Sequence, residues 1–358
     1  MNVLLCPDMY VTKTTNKSLE IKKLDGHPML DIYNRKINYL RVSITDRCNL
    51  RCSYCMPKEG VSLLGHDDVL KYEEILRIIR VAVTMGISKI RITGGEPLIR
   101  RGVVDFVTSL IAIEDIHDIS LTTNGTLLEA FAAKLFTAGM KRINISLDSL
   151  DPSKYAHITR GGELGKVLAG IEEVRRIGFA PIKINTVAIK GFNDDEIVNF
   201  AKLSLHKPFQ IRFIELMTMG HATLDHNGQY LSNTVIKKII ERHYRLEPVD
   251  GKKQSIDGPA QIYRIADGAG EIGFISPMSH QFCHTCNRLR LTADGHLRAC
   301  LLTDEEVDLK GPLRGGCSDA DLIKLITMAI VKKPLRHDIS CDEGHRKKCM
   351  TDMSSIGG

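Results

Sequence analysis

Between Tyr39 and about His243 the chain alternates two hydrophobic patterns. Short β-branched runs at Leu40–Thr45, Lys89–Thr93, Ile116–Thr122, Arg142–Leu147, Ile182–Ala188 and Gln210–Glu215 read as strands. Between them the apolar residues recur at helical spacing. In Glu73–Thr84, for example, Ile75, Ile78, Ile79, Ala82 and Val83 make one stripe. Six strand–helix units in a row predict a parallel sheet with right-handed crossovers. Without the glycine fingerprint of a dinucleotide fold, the expected class is α/β, an incomplete (β/α)6 barrel.

Several of these strands also alternate with period two. Val42 and Ile44 oppose Arg41, Ser43 and Thr45; Ile90 and Ile92 oppose Lys89, Arg91 and Thr93; Ile182 and Ile184 oppose Lys183 and Asn185. In a parallel sheet covered by helices the polar side does not face bulk water, so it lines the barrel interior. Cations buried there need a counter-charge, which an anionic ligand provides.

After residue 245 the pattern changes. Short strands at Gln261–Ile265, Glu271–Ile275, Arg288–Thr292 and His296–Cys300 are separated by turns such as Ala293-Asp294-Gly295, and a helix is expected at about Asp319–Val331. The division expected is an N-terminal extension without an assigned role (1–30), the barrel (31–245), a C-terminal α+β region (246–333) and a basic tail (334–358). By composition that tail, ending in Gly357-Gly358, is loose.

Composition narrows the function. The chain has 358 residues, 43% hydrophobic and 26% charged, as in an ordinary globular protein with a large core. No apolar run approaches a membrane span and nothing reads as a signal or transit peptide, so no membrane and a cytoplasmic location are expected. A net charge of +6, no Trp and 5% aromatic residues argue against bulk nucleic-acid binding and for a few cations aimed at an anionic small molecule. Ten cysteines point to metal or redox chemistry rather than disulfides. Cys6, Cys317, Cys341 and Cys349 stand apart and read as ordinary thiols.

Six cysteines fall into two groups. Cys48, Cys52 and Cys55 follow the first strand on one short loop, and three thiolates suit a 4Fe–4S cluster with one iron left open. A structural zinc site wants a fourth ligand, and His66 is poorly spaced for it. Cys283, Cys286 and Cys300 form the second group; a second three-cysteine cluster competes with zinc completed by His284 or His296. Beside it, Arg288 and Arg290 share one face of a strand and suit phosphate or a planar base edge. The turn Gly94-Gly95-Glu96-Pro97 follows the second strand, where two glycines allow the backbone to approach a ligand.

The runs Arg41-Val-Ser-Ile-Thr-Asp46, Cys48-x3-Cys52-x2-Cys55, Arg91-Ile-Thr-Gly-Gly-Glu-Pro97, Thr122-Thr-Asn-Gly125, Asn144-Ile-Ser-Leu-Asp148, Arg212-Phe-Ile-Glu215, Cys283-x2-Cys286-Asn-Arg-Leu-Arg290, Cys300 and the terminal Gly357-Gly358 together resemble the MoaA family. These are radical S-adenosylmethionine (SAM) enzymes, the GTP 3′,8-cyclases that open molybdenum-cofactor synthesis. The resemblance implies a radical-SAM partial barrel with a C-terminal extension carrying a second Fe–S cluster, and two 4Fe–4S clusters plus SAM as cofactors. Cys48, Cys52 and Cys55 would hold the first cluster; Cys283, Cys286 and Cys300 the second. Tyr54, Gly95, Ser146 and Met217 would line the SAM site, and Arg41, Arg91, Thr122, Lys183, Arg288, Leu289 and Arg290 would contact GTP. The catalytic set it implies is Arg41, Arg288, Arg290, Gly357 and Gly358. It also implies a flavodoxin- or ferredoxin-like electron donor, a product passed to cyclic pyranopterin monophosphate synthase, and a homodimer as one assembly state. Two rivals differ from it. A peptide-modifying maturase would carry more C-terminal cysteines, and a zinc protein binding RNA through its basic tail would contain no iron.

Overall fold

The apolar faces that set the sequence pattern become the seam between one sheet and its helices. The computed structural model describes residues 29–217, 219–220, 228–249, 258–337 and 349–357, with the backbone of 3–6 and 9–11. β1 (Val3–Cys6) and β2 (Met9–Val11) form an antiparallel pair of their own. Then β3 (Tyr39–Ser43), β4 (Lys89–Thr93), β5 (Asp118–Thr123), β6 (Arg142–Ser146), β7 (Ile182–Ala188) and β8 (Phe209–Glu215) lie side by side in chain order, all parallel. Helices Tyr72–Thr84, Val103–Ile111, Leu128–Thr137, Leu164–Ile177 and Ile197–His206 lie between successive strands in the chain. The partial (β/α)6 barrel is therefore present as the alternation predicts.

Val42, Ile44, Ile90, Ile92 and Ile184 are all buried in the core beneath those helices. Truncating any one of them to Ala would cost about 2–5 kcal/mol. The opposite faces of the same strands point inward, and register sets what stands beside what.

The C-terminal region does not form a lobe beside this sheet; it extends both of its edges. After β9 (Leu246–Pro248) and β10 (Gln261–Ile265), β11 (Glu271–Ile275) pairs parallel with β8. β12 (Arg288–Leu291) pairs parallel with β3, followed outward by β13 (His296–Arg298) and β14 (Glu306–Asp308). The result is one sheet in the order β14-β13-β12-β3-β4-β5-β6-β7-β8-β11-β10-β9. Across it Arg290, Arg41, Arg91 and Ser120 are successive partners. Helix Asp319–Val331, capped by Ser318, packs on β13, β14 and helix Tyr72–Thr84. No helix among the described residues is long and apolar enough to cross a membrane.

Candidate functional site

The loop carrying Cys48, Cys52 and Cys55 begins where β3 ends. Cys283 and Cys286 precede β12, which is parallel to β3, and Cys300 follows β13, which is antiparallel to β12. The two trios therefore lie at opposite ends of the sheet. β3 and β12 are 5 and 4 residues long, which separates the trios by roughly 15 Å along the strands at about 3.3 Å per residue. A cavity of about 300 Å³ occupies this space, and all six cysteines line it.

All six thiols are free. Among the described residues no three His, Cys, Asp or Glu side chains group tightly enough for a single metal ion. Mononuclear zinc needs ligands that crowd one centre, whereas the cysteines of a 4Fe–4S cubane bind different irons. His296 is turned to Asp294, 3.0 Å away, and His284 is exposed. Burial raises the pKa of Cys48, lifts Cys52 well above its ordinary value, and pushes Cys55 up to about 12. Without iron this trio is protonated at neutral pH, so loading a cluster must displace protons. Cys286 behaves oppositely: burial opposes ionisation, but Arg288 and Lys333 bring its pKa down to about 6. The donor chemistry of both trios, six free thiols facing one cavity, fits three-cysteine clusters.

The Gly94-Gly95 turn also has a packing role. A Cβ on Gly94 would come within 2.7 Å of the Thr45 carbonyl, and one on Gly95 within 2.2 Å of the Arg47 carbonyl. The missing side chains make room for the start of the cysteine loop, bound through Gly95 N to Thr45 O (2.7 Å) and Glu96 N to Arg47 O (2.8 Å). Both glycines still line the cavity. Glu96 accepts from Leu98 N, Thr123 Oγ1 and Asn124 N at 2.9, 2.8 and 2.7 Å, while burial lifts its pKa to about 7. It is a strut between two loops.

Arg41, Tyr54, Arg91, Gly95, Thr122, Ser146, Met217, Arg288 and Arg290 all line the same cavity. Tyr54 donates its hydroxyl to Asp148 at 2.7 Å. Leu289 turns its side chain into the core, leaving its backbone for any ligand contact. Lys183 does not line the cavity; it is in register with Asn144, which is paired in turn with Thr122. Burial, then Arg212, Arg142, Arg91 and Lys89, drop the Lys183 pKa to about 6. Burial likewise brings Arg290 and Arg212 down to about 9 and depresses Arg41 strongly, with Arg290 adding to the last.

So much buried positive charge calls for an anion. Four buried polar atoms of cavity residues have no partner among the described residues: Tyr39 OH, Thr122 Oγ1, Asn185 Oδ1 and Ser354 Oγ. They fit a ligand rich in hydrogen-bonding groups. The sequence analysis turned Asn185 inward but missed Tyr39, Asp148, Arg212 and Ser354 as site residues. Parity exposes two of them, since Tyr39 shares the face of Arg41, and Arg212 points inward from β8. Ser354 carries no such signal.

The tail expected to be loose is packed in its described part. Helix Met353–Ile356 leads to Gly357, whose carbonyl accepts from Thr93 Oγ1 at 2.9 Å and Arg41 Nη2 at 3.4 Å. Gly358 lies outside the described residues. Cys349 and Ile356 join Met219, Met278 and Leu302 in a small apolar cluster. Asp304 accepts from Met350 N (3.0 Å), Thr351 Oγ1 (2.7 Å) and Cys349 Sγ (3.2 Å), with buried Arg298 bridging Asp304 and Thr351. Composition gives these few residues no periodic pattern, whereas what holds them is a clasp some fifty positions away in the chain.

The profile of the radical SAM superfamily matches residues 42–204, and that of Molybdenum Cofactor Synthesis C matches 209–339. The chain is 50% identical over 330 residues to the GTP 3′,8-cyclase of Moorella thermoacetica, covering 92% of this chain and 100% of that one. It is 49% identical over 332 residues to the GTP 3′,8-cyclase of Thermodesulfovibrio yellowstonii, with the same coverage. Among solved structures, Streptococcus suis SuiB bound to S-adenosylmethionine superposes with a TM-score of 0.57 over 85% of this chain and 68% of that one. At 13% identity, that likeness is one of fold alone. With both profiles and near full-length identity in agreement, the chain belongs to the GTP 3′,8-cyclase family of radical SAM proteins.

Proposed function

We propose that this chain is a GTP 3′,8-cyclase, converting GTP to (8S)-3′,8-cyclo-7,8-dihydroguanosine 5′-triphosphate as the first step of molybdenum-cofactor synthesis. What carries the assignment is one fact of geometry: two cysteine trios from distant parts of the chain open onto a single arginine-lined cavity. Cys48, Cys52 and Cys55 would hold a 4Fe–4S cluster in the barrel (residues 31–245), and Cys283, Cys286 and Cys300 a second one in the region 246–333. Bound there, the reduced first cluster and SAM supply the one-electron cleavage and hydrogen-atom abstraction that start ring closure on the substrate.

The chain's own residues bind, orient and exclude water. Tyr54, Gly95, Ser146 and Met217 line the SAM end, with Tyr54 held by Asp148. Arg41, Arg91, Arg290 and Arg212, with Lys183 deeper in, oppose the triphosphate through charge-assisted hydrogen bonds. Arg288, beside Cys286, stands at the second-cluster end, where a base edge would lie. The Gly357 carbonyl fastens Arg41 and Thr93 at the edge of this site. A dry, closed site fixes the reacting atoms and protects a reactive radical from solvent. The reductant is a flavodoxin- or ferredoxin-like protein, the product passes to cyclic pyranopterin monophosphate synthase, and the chain works in the cytoplasm, as a homodimer where it self-associates.

Anaerobically reconstituted, dithionite-reduced protein is incubated with SAM, with and without GTP, and followed by mass spectrometry. GTP-dependent 5′-deoxyadenosine together with a new isomer of GTP supports the cyclase. SAM cleavage indifferent to GTP would keep the radical SAM class and overturn the substrate.

A further inference from the structure

The two trios sit in different electrostatic surroundings, although a guanidinium reaches each: Arg160 donates to the Met56 carbonyl beside Cys55 at 3.0 Å. The thiols of the first feel carboxyl groups: Glu96 acts on Cys48, Asp148 on Cys52, and Asp352 and Asp148 on Cys55. The second is wrapped in cations. The Arg288 guanidinium acts on the Cys286 thiol. Arg35, 5% exposed, donates from Nη1 to the Cys283 carbonyl at 2.7 Å and from Nη2 to the Pro334 carbonyl at 2.9 Å, with Asp31 on its Nε.

Lys333 is the most telling of these groups. It is 3% exposed, and its Nζ donates to the Arg288 carbonyl at 2.8 Å and the Ala299 carbonyl at 2.5 Å. Ala299 precedes Cys300, and Arg288 stands two residues after Cys286, so one ammonium ties together both segments that bring cysteines to this end. Carbonyls orient a lysine without cancelling its charge, as a carboxylate would. The potential of an iron–sulfur cluster follows the net charge and hydrogen bonds around it. A nearby cation favours the reduced, more negative state, and a nearby carboxylate opposes it.

Resting on the two-cluster reading above, we propose that the chain holds its clusters at different potentials, the second more readily reduced than the first, with Lys333 as the fixed cation that sets the offset. Each reduction adds one electron, taken from the external reductant. The chain thus decides which end of the cavity an incoming electron occupies before substrate arrives.

The test uses full-length chains carrying one trio each: Cys48, Cys52 and Cys55 all changed to Ala, or Cys283, Cys286 and Cys300 all changed to Ala. Iron and sulfide are counted, and midpoint potentials are read by paramagnetic resonance during mediated redox titration. The second trio should titrate at the higher potential. Lys333→Gln, which retains a donor to the carbonyls but not the charge, should move that midpoint to a more negative value; Lys333→Arg should leave it near the original. A second-trio midpoint at or below the first, or one unmoved by Lys333→Gln at full iron content, overturns the inference. If Lys333→Gln loses iron, Lys333→Arg decides: iron retained at the original midpoint supports a cationic requirement, and iron lost there too overturns it. A chain bearing only the second trio that takes up no iron sinks the two-cluster reading itself, and the inference with it.

Discussion

Gly357→Ala tests whether the docked tail belongs to the working site. Gly357 has φ +83°, and a Cβ built there would lie 2.6 Å from Ser43 Cβ, 3.0 Å from Ser43 Oγ and 3.3 Å from Thr93 Cγ2. An L side chain in this left-handed region costs about 1–2 kcal/mol. Overlap with a packed strand adds about 1–3 kcal/mol. The sum, about 2–5 kcal/mol, lowers the docking equilibrium constant of the tail by ~30-fold or more at about 1.4 kcal/mol per tenfold. With the tail released, the Gly357 carbonyl leaves Arg41 and Thr93, which it now holds. The expected result is a loss of kcat/KM for GTP of at least ~30-fold, with iron, sulfide and SAM binding unchanged, measured anaerobically by product mass spectrometry. Ser43→Gly deletes the two closest of these atoms, so in the double variant the backbone cost and the looser Thr93 Cγ2 contact remain and about tenfold of the activity returns. A fully active Gly357→Ala refutes the role of the tail; a loss that Ser43→Gly does not relieve refutes the steric cause.

Three further predictions follow from the same geometry. Arg91→Ala should weaken GTP binding by about tenfold or more, as for a lost charge-assisted bond, while leaving iron content and SAM cleavage chemistry intact; iron loss in that variant defeats the assignment. Lys183 has a pKa depressed from 10.5 to about 6, and an adjacent triphosphate raises it again. Binding GTP at pH 8 should therefore take up a proton, and affinity should fall as pH rises above about 6; calorimetry in buffers of different ionisation heat reads the uptake, which Lys183→Met must abolish. Asp304→Ala removes the carboxylate that accepts three hydrogen bonds in the tail clasp. Because Asp304 is exposed, each is worth about 0.5–1 kcal/mol, so hydrogen exchange in residues 349–357 should accelerate by roughly 10- to 100-fold, and unchanged protection would rule the clasp out.

Sequence periodicity reaches a definite depth in this molecule and then stops. Helix-facing Ile90 and Ile92 and cavity-facing Arg91 are legible because a strand in a layered sheet has two faces and only one accepts charge. The same parity places Arg41 and Lys183 inward before any contact is known. It is blind to non-local pairing: nothing near Arg288 in the chain says that β12 docks on β3, some 250 residues earlier. Glu96 is silent for another reason: its oxygens are taken by Leu98 and, across the next loop, by Thr123 and Asn124, partners the local run does not record. The tail is opaque because its order depends on Arg298 and Asp304, and composition records no partners.

The precision of the site comes from backbone register more than from side-chain packing. β12 pairs with β3 so that Arg288, Leu289 and Arg290 stand beside Tyr39, Leu40 and Arg41, and Arg41 in turn stands beside Arg91. A one-residue slip of β12 would turn both its arginines into the apolar core and bring Leu289 into the cavity. That error cannot be absorbed gradually, since Leu289 and Leu291 are filled-in core positions and a buried guanidinium finds no partner there. The strand that delivers the second trio is thus locked to the strand that delivers the first. The distance between them is set by the length of a parallel pair, and the arginines between are spaced by the ladder itself.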